Sequence, residues 1–273
     1  MMAALVVFLV ALVFLVVYLF LVMPRVIDKA DMEVLRCDYA HRGLWSKDAP
    51  ENSLKAFELA ARAGFGIEFD IQLTKDKRVV VFHDYTLERM CGVKAKVSDL
   101  TLAELKRYKL RGSDQTIPTL IEVLHLVNGR VPLLVELKGE SRDTSLCPRA
   151  ARILDNYPGA FCIESFNPAI LAWFKSFRPR YARGQLVTDL IKSKKEGSKL
   201  LNFALTHLLL NFMSRPDFIA VDKEHQGNIS FKICAFLLRA DAFVWTVREP
   251  CEFIDAHRSG KRTIFEKIRP RII

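Results

Sequence analysis

Residues 1–23 form an uninterrupted apolar run without a charge, a proline or a glycine. At about 1.5 Å of rise per residue, a helix of this length crosses a hydrocarbon core of roughly 30 Å. A cleaved secretory signal has a basic start and a shorter apolar core, whereas this run starts neutral and ends in a Pro-Arg pair. We therefore expect a retained transmembrane anchor over residues 1–23, a tether over residues 24–32 and a soluble domain over residues 33–273.

Basic residues follow the apolar run closely, and none precedes it; they are Arg25, Lys29, Arg36 and Arg42. The positive-inside rule therefore predicts a single-pass membrane protein with its C-terminal domain in the cytoplasm. The six cysteines are scattered and show neither a Cys-x-x-Cys pair nor a zinc-like spacing. This usage argues against a disulfide scaffold or a zinc cluster and favours reduced, mostly buried thiols.

Beyond the tether, short β-rich runs that end in polar residues alternate with helical stretches. The predicted strands are 36–40, 66–70, 133–138, 161–165, 182–187, 218–222, 242–247 and 262–266. The predicted helices are 53–63, 119–127, 148–156, 168–177, 199–213, 230–239 and 252–258. Eight strands alternating with helices in about 250 residues predict an α/β protein with a (β/α)8 TIM barrel, whose reactive residues lie at the carboxyl ends of the strands.

One stretch interrupts this alternation. The connection from residue 71 to residue 84 is too short for a parallel crossover but long enough for a hairpin that turns at residues 75–77. Such a hairpin brings His83 back opposite residues 68–70. We therefore expect a small insertion, about residues 71–118, between the second strand and its helix.

The overall composition is that of a globular protein. Apolar residues make up 51% and charged residues 26%, which excludes a disordered or collagen-like chain. The net charge of +10 raises the question of nucleic acid binding. Because no stretch interleaves aromatic with basic residues, we expect no nucleic acid partner.

A basic cluster precedes an unusually apolar segment. The cluster comprises Lys192, Lys194, Lys195 and Lys199, and a helix is expected over residues 200–213 with a narrow polar stripe of Asn202, Thr206, His207 and Asn211. This helix is too short to span a bilayer. Two interpretations remain open: it lies in the headgroup region of a membrane, or it packs on the barrel or on a second copy of the chain.

Carboxylates cluster at the ends of two predicted strands. Glu68 and Asp70 are two residues apart, so their side chains point to the same face, and Glu136 and Lys138 repeat this spacing on the next strand. Three carboxylates converging at the barrel mouth without a neighbouring thiolate suit a hard divalent cation.

Two histidines lie beside this cluster. His41 and Arg42 follow the first strand, and His83 ends the hairpin. Two imidazoles supply a general base and a general acid near neutral pH, while Arg42 and Lys138 suit phosphoryl oxygens. This set of groups is typical of metal-assisted phosphodiester cleavage. Alternatively, Lys138 forms a structural ion pair with Glu136.

Nine short motifs occur in the order of one known family. They are His41-Arg42-Gly43, Pro50-Glu51-Asn52-Ser53, Ile67-Glu68-Phe69-Asp70, Thr74-Lys75-Asp76, His83-Asp84, Ile117-Pro118-Thr119-Leu120, Glu136-Leu137-Lys138, Ser165-Phe166 and Trp245-Thr246-Val247. Over about residues 36–266 the chain resembles the glycerophosphodiester phosphodiesterase family. The resemblance implies a barrel with an insertion after its second strand, one Mg²⁺ or Ca²⁺ ion, and hydrolysis of glycerophosphodiesters to glycerol 3-phosphate and an alcohol.

The resemblance also implies roles for individual residues. By position, Glu68, Asp70 and Glu136 match the metal ligands, His41 and His83 the acid/base pair, Arg42 and Lys138 the phosphate contacts, and Trp245 the aromatic wall of the pocket. Trp245 can instead belong to the barrel packing. Glu51 and Asn52 either shape the first loop and open the helix at Ser53, a capping role, or act as direct ligands.

Three positions depart from the family's usual residues. Arg248 stands where an Asn is usual, Lys77 where a turn Gly is usual, and residues 261–266 replace a Gly-rich strand ending in Thr-Asp-Pro. These differences do not involve the expected metal ligands. The Arg248 difference bears on the substrate contacts nearby, whereas Lys77 is expected only to stiffen the turn.

Two alternative functions need the same residues or fewer of them. A lysophospholipase D acting on membrane lysophospholipids would use the same catalytic groups, and a non-catalytic phosphodiester- or lipid-binding module would need only the binding groups. The sequence leaves open the headgroup, the ion, the oligomeric state, and whether water or the substrate's own 2-hydroxyl attacks phosphorus.

Overall fold

The computed structural model describes residues 1–25, 29–139, 142–194 and 196–270. Eight parallel strands form a closed barrel, which confirms the predicted fold; they are β1 (Tyr39–His41), β2 (Gly66–Leu73), β4 (Leu133–Leu137), β5 (Phe161–Ser165), β6 (Arg183–Val187), β7 (Phe218–Asp222), β8 (Asp241–Val247) and β9 (Arg262–Phe265). A ninth strand, β3 (Val79–Val81), pairs antiparallel with β2. The barrel closes because β1 pairs with both β2 and β9.

The first helix precedes the first strand, and the other helices lie in the connections between the strands. The helices are α1 (Met2–Val22), α2 (Leu54–Arg62), α3 (Glu88–Cys91), α4 (Leu102–Leu105), α5 (Leu120–Val127), α6 (Leu146–Leu154), α7 (Pro168–Phe177), α8 (Lys199–Thr206), α9 (Asn211–Ser214), α10 (Ile229–Lys232) and α11 (Pro250–Arg258). Short 3-10 helices occupy Lys29–Leu35, Val97–Asp99 and Lys223–His225, and a π-helical turn follows α10 at Ile233–Leu237. Several helices begin at a residue whose side chain caps the first turn. At α5, the Thr119 hydroxyl accepts a hydrogen bond from the backbone N–H of Glu122, and the Glu122 carboxylate accepts one from the backbone N–H of Thr119.

The hairpin after the second strand is present. Ile71 pairs with Val81 and Leu73 with Val79, which carries the chain back along β2 toward Asp70. Lys77, in the turn, has φ 60°, the left-handed region in which a glycine is least strained. The insertion has its own small apolar core, formed by residues such as Leu87, Val97 and Leu110 and their neighbours.

The single helix predicted over residues 199–213 is wrong. The helix ends at Thr206, the chain turns through Leu208 at φ 55°, and a separate α9 begins at Asn211. The Thr206 carbonyl accepts a hydrogen bond from the Asn228 amide instead of from a following helical amide. Because tertiary hydrogen bonding replaces the helical bond there, an apolar pattern alone did not reveal the break.

The segment predicted as a tether meets the amino-terminal end of the barrel. The Arg25 guanidinium bonds to Asp217, which directly precedes β7. Met32 is buried inside the barrel and belongs to the same apolar cluster as Phe218 and Ile264. Residues 26–28 lie outside the described residues, as do Lys195 of the basic cluster and residues 271–273, so the proposed domain boundaries stay predictions.

Candidate functional site

Three buried carboxylates meet at the carboxyl ends of β2 and β4. One oxygen each of Glu68, Asp70 and Glu136 lies within 4.8 Å of the other two. The strand register places Asp70 directly beside Glu136. Burial, reinforced by repulsion from Asp70, raises the pKa of Glu68 well above its ordinary value, and burial raises the pKa of Glu136 to about 7 against the opposing charge of Lys138. The cluster therefore favours a bound cation or protonation.

Lys138 lies inside this cluster rather than beside it. Its Nζ is 2.8 Å from Asp70 Oδ1 and 2.8 Å from Glu136 Oε1. Although burial opposes ionisation, Lys138 and Arg42 hold the pKa of Asp70 well below its usual range. The ion pair between Lys138 and Glu136 that the sequence suggested is thus formed, and Asp70 takes part in it as well.

Arg42 is held by the turn that follows β1. Its backbone N–H donates to Glu68 Oε2 at 3.0 Å, and its Nη1 donates to Glu51 Oε1 at 2.7 Å. The next residue, Gly43, has φ 84°, and a Cβ there would lie 2.8 Å from the backbone of Ala56. A glycine is therefore required at position 43 by the close approach of the turn to α2.

Glu51 organises the arginines instead of capping a helix. Its carboxylate accepts bonds from Arg42 and from Arg89, whereas Ser53 is the N-cap of α2. Asn52 donates to Asp70 Oδ2 at 2.9 Å. Neither residue caps α2. Glu51 and Asn52 both make polar contacts with residues of the candidate site.

His41 lies at the end of β1, between two carboxylates. Its Nδ1 is 2.8 Å from Glu266 Oε2, and its Nε2 is 3.9 Å from Glu68 Oε2. Burial lowers the pKa of His41 despite the contact with Glu266. Glu266 also accepts a bond from Arg248 Nε. Sequence reasoning missed the role of Glu266, although a polar residue that follows the last barrel strand was the available signal.

His83 has a similar partner on the insertion. Its Nδ1 is 2.6 Å from Asp84 Oδ1, and Arg89 donates to the same carboxylate. Gln72 of β2 donates to the backbone carbonyls of Phe82 and Asp84, which fixes the segment that carries the histidine. Burial lowers the pKa of His83, opposed by the charge of Asp70.

Glu164 is a fourth carboxylate that sequence reasoning missed. It is buried on β5, in register with Glu136, and its Oε2 has no hydrogen-bond partner among the described residues. Burial, followed by repulsion from Glu136, raises its pKa well above the ordinary value. Its place on the strand after Glu136 was the signal that could have identified it.

Trp245 lies near the carboxyl end of β8. Its Nε1 donates to the Ala220 carbonyl at 2.9 Å, and its ring meets Phe166 edge to face at 5.6 Å between centroids. The indole is half-buried. These contacts fix the ring on the rim of the barrel mouth.

Sequence and structure comparisons agree on one family. The sequence profile described as the glycerophosphoryl diester phosphodiesterase family matches residues 41–265. The chain is 36% identical over 166 residues to a glycerophosphodiester phosphodiesterase of Bacillus altitudinis, a match covering 56% of this chain and 67% of the relative. It is 41% identical over 159 residues to a glycerophosphodiester phosphodiesterase of Caldanaerobacter subterraneus subsp. tengcongensis, covering 54% of this chain and 65% of the relative.

A solved structure shares the architecture. The crystal structure of a glycerophosphodiester phosphodiesterase from Thermotoga maritima superimposes with a TM-score of 0.66 at 27% identity, over 84% of this chain and 93% of that protein. The eight parallel strands described above are therefore arranged as in that enzyme.

Proposed function

The chain belongs to the glycerophosphoryl diester phosphodiesterase family, and we propose that it hydrolyses glycerophosphodiesters to glycerol 3-phosphate and an alcohol. One observation carries the proposal: a buried cluster of three carboxylates lies in the barrel mouth, with His41 beside it and His83 on the adjoining hairpin, and each histidine is bound through Nδ1 to a carboxylate. Such a pairing is what acid/base chemistry at a phosphodiester requires.

Glu68, Asp70 and Glu136 would hold one divalent cation, Mg²⁺ or Ca²⁺. Their donors are all oxygens, and the raised pKa values of Glu68 and Glu136 reflect excess negative charge in a buried place. The residues present therefore fit a hard cation. When bound, such an ion stabilises negative charge on the phosphoryl oxygens.

His41 and His83 act as the acid/base pair in this proposal. Because Nδ1 of each is hydrogen-bonded to a carboxylate, Nε2 is the atom that exchanges a proton with the substrate. One imidazole accepts the proton of the attacking nucleophile, which is water or the substrate's own 2-hydroxyl, and the other, protonated, donates to the oxygen of the leaving alcohol. If the 2-hydroxyl attacks, water then opens the resulting cyclic phosphate to glycerol 3-phosphate. Glu266 and Asp84 orient the rings and favour the protonated form.

Arg42 and Lys138 would bind the phosphoryl oxygens, and Trp245 would bound the pocket. Lys138 sits between two carboxylates and Arg42 is fixed by Glu51, so both cations are held in place before substrate binds. Preorganised cations of this kind lower the cost of bringing an anionic phosphodiester among carboxylates.

We further propose that α1 anchors the chain in a membrane with the catalytic domain on the cytoplasmic side. This helix is long and apolar enough to cross a bilayer by length and composition, a property that signal sequences share. The basic residues that follow it favour the cytoplasmic orientation.

One assay separates the candidate functions. Purified full-length protein is given glycerophosphocholine or lysophosphatidylcholine with Mg²⁺, with Ca²⁺ or with EDTA. Cation-dependent release of glycerol 3-phosphate from glycerophosphocholine is expected. Turnover that is undiminished in EDTA would contradict the metal assignment. Cleavage of lysophosphatidylcholine alone would favour a lysophospholipase D. Binding without cleavage would favour the non-catalytic module.

A further inference from the structure

Helix α8 has its polar residues inside and its apolar residues outside. Asn202 and Thr206 are 9% and 2% exposed, whereas Leu200, Leu201 and Phe203 are 78%, 49% and 46% exposed. A helix on the outside of a soluble barrel has the opposite arrangement, because burial of its apolar face supplies most of its stability. The exposed apolar face of α8 therefore needs an apolar environment outside the barrel.

The polar face of α8 is fixed to the carboxyl end of the barrel. The Thr206 hydroxyl accepts a bond from the backbone of Leu190, just after β6, and the Thr206 carbonyl accepts bonds from the side chains of Asn228 and His225, after β7. These bonds place α8 beside the first turn of α10, where Ile229 is 70% exposed. We name the exposed side chains of Ile191, Leu200, Leu201, Phe203 and Ile229 the apolar rim.

The anchor helix leaves the barrel beside this rim. The hydroxyls of Tyr18 and Ser230, the latter in the first turn of α10, are hydrogen-bonded at 2.8 Å. Farther along, the Val22 carbonyl accepts bonds from Asn211 and Cys234, and Arg25 binds Asp217 at the amino-terminal end of β7. Along the chain, α1 thus descends from the catalytic end of the barrel toward the opposite end.

The free part of α1 therefore projects from the catalytic end. Residues 2–17 precede the contact at Tyr18 and are almost entirely exposed. As a continuous helix they extend about 24 Å beyond that contact, close to the thickness of a hydrocarbon core. A bilayer that contains this stretch has its surface near Tyr18, at the level of Ile229 and the apolar rim.

The charges near the rim suit an anionic lipid surface. Lys192, Lys194 and Lys199 are exposed, next to Ile191 and Leu200. Lysines adjoining an apolar face are typical of segments that lie in the headgroup region, where they attract anionic lipids. An apolar face, adjacent lysines and an anchor that emerges beside them all indicate the same partner.

We infer that the apolar rim inserts into the headgroup region of the bilayer entered by α1, so that the mouth of the barrel faces the lipid surface. This position favours lipid-borne glycerophosphodiesters, such as lysophospholipids, as substrates. That part of the inference rests on the proposed function. A lipid-borne substrate reaches the mouth by moving within the bilayer surface, whereas a soluble one arrives from solution.

The test places a fluorescent label on the rim of the full-length protein. Leu201→Cys is made in a Cys251→Ser background, which removes the exposed native thiol, and is labelled with a polarity-sensitive dye. The protein is reconstituted in phosphatidylcholine/phosphatidylglycerol vesicles, with and without a lipid that carries a nitroxide below its headgroup. Phe177→Cys is the matched control, since Phe177 is 59% exposed at the end of α7, toward the amino-terminal side of the barrel.

The inference expects a blue-shifted emission and nitroxide quenching for the label at residue 201 and neither effect at residue 177. Equal behaviour at the two positions would overturn it. A third outcome is that the label at residue 201 is shielded from aqueous iodide but is not quenched by the nitroxide lipid, and that the shielding disappears when the protein is diluted in lipid. This outcome would also overturn the inference and would assign the apolar rim to a contact with a second copy of the chain.

Activity distinguishes failure of the rim from failure of the proposed function. Leu200→Ser with Leu201→Ser is expected to lower kcat/KM on vesicle-borne lysophosphatidylcholine about threefold or more and to leave glycerophosphocholine turnover unchanged, because only the first depends on membrane seating. Phe177→Ser is expected to change neither. If the wild type cleaves neither substrate, the proposed function fails, while the quenching result still decides the position of the rim.

Discussion

Nδ1 of His41 lies 2.8 Å from Oε2 of Glu266, the residue that directly follows β9. Glu266 also accepts a bond from Arg248, the residue that directly follows β8. Arg248 and the segment ending at Glu266 are two of the places where the sequence departs from the residues usual in its family. The two departures are thus joined in one chain of contacts that ends at a proposed catalytic histidine.

Glu266→Gln should shift one limb of the pH profile of kcat/KM to lower pH. A carboxylate beside His41 favours the imidazolium and raises the pKa of His41, so its removal lowers that pKa further. Whether His41 is the base or the acid, the limb of the kcat/KM profile that it controls shifts to lower pH. Glu224→Gln, which removes an exposed carboxylate after β7, is the control. An unchanged profile in Glu266→Gln would show that this contact does not tune His41.

His41→Ala and His83→Ala should each lower kcat by about 10²-fold or more, because a positioned acid or base contributes at least that much. The measurement is steady-state turnover of glycerophosphocholine with the fold checked by circular dichroism. His125→Ala, on the exposed face of α5, should retain full activity. Near wild-type turnover in His83→Ala would exclude its assignment as acid or base.

Divalent cations should stabilise the protein more at alkaline than at acidic pH. The folded-state pKa of Glu136 is raised to about 7, so its protonated form stabilises the fold below the unfolded-state value, and this contribution is lost as pH rises through 7. Mg²⁺ or Ca²⁺ replaces the lost proton, and the gain in Tm over EDTA should be larger at about pH 8 than at about pH 5.

Glu136→Gln provides the matched variant for this measurement. It removes the buried negative charge, so Tm in EDTA should depend less on pH and the response to cations should weaken. A wild-type response to cations in this variant would contradict the assignment of Glu136 as a ligand.

Gly184→Ala should destabilise the barrel. A Cβ at this position in β6 would overlap the ring of Phe218 on the neighbouring strand. Overpacking of an interior typically costs about 1–3 kcal/mol, which lowers the urea midpoint of unfolding. Gly227→Ala is the control, since a Cβ there meets nothing within 4 Å. Equal midpoints for the two variants would contradict the tight packing of β6 against β7.

The proposed topology predicts protection of Cys251 in intact cells. Cys251 is an exposed thiol on α11, so a membrane-impermeant thiol reagent should label it only after permeabilisation if the domain is cytoplasmic. Cys251→Ser identifies the signal. Labelling of Cys251 in intact cells would place the domain on the outer side.

The barrel, the family and the convergence of the three carboxylates could all be predicted from the sequence. The family match and the shared architecture confirm the first two. The family was predicted from the resemblance of its motifs. The barrel and the convergence of the carboxylates depend on local periodicity: residues two apart on a strand share a face, and parallel strands end at the same edge of the sheet. Glu68, Asp70 and Glu136 are therefore adjacent in any barrel that this pattern forms.

Only the tertiary structure determined the partner of His41 and the direction in which α8 faces. His41 and Glu266 are 225 positions apart and meet because β1 pairs with β9 to close the barrel, a contact that no local pattern encodes. In α8, the apolar residues left open whether they face a membrane, the barrel or a second copy of the chain, and hydrogen bonds from Leu190 and Asn228 hold Thr206 inward. Long-range hydrogen bonds at buried positions thus determined the orientation that hydrophobicity alone left open.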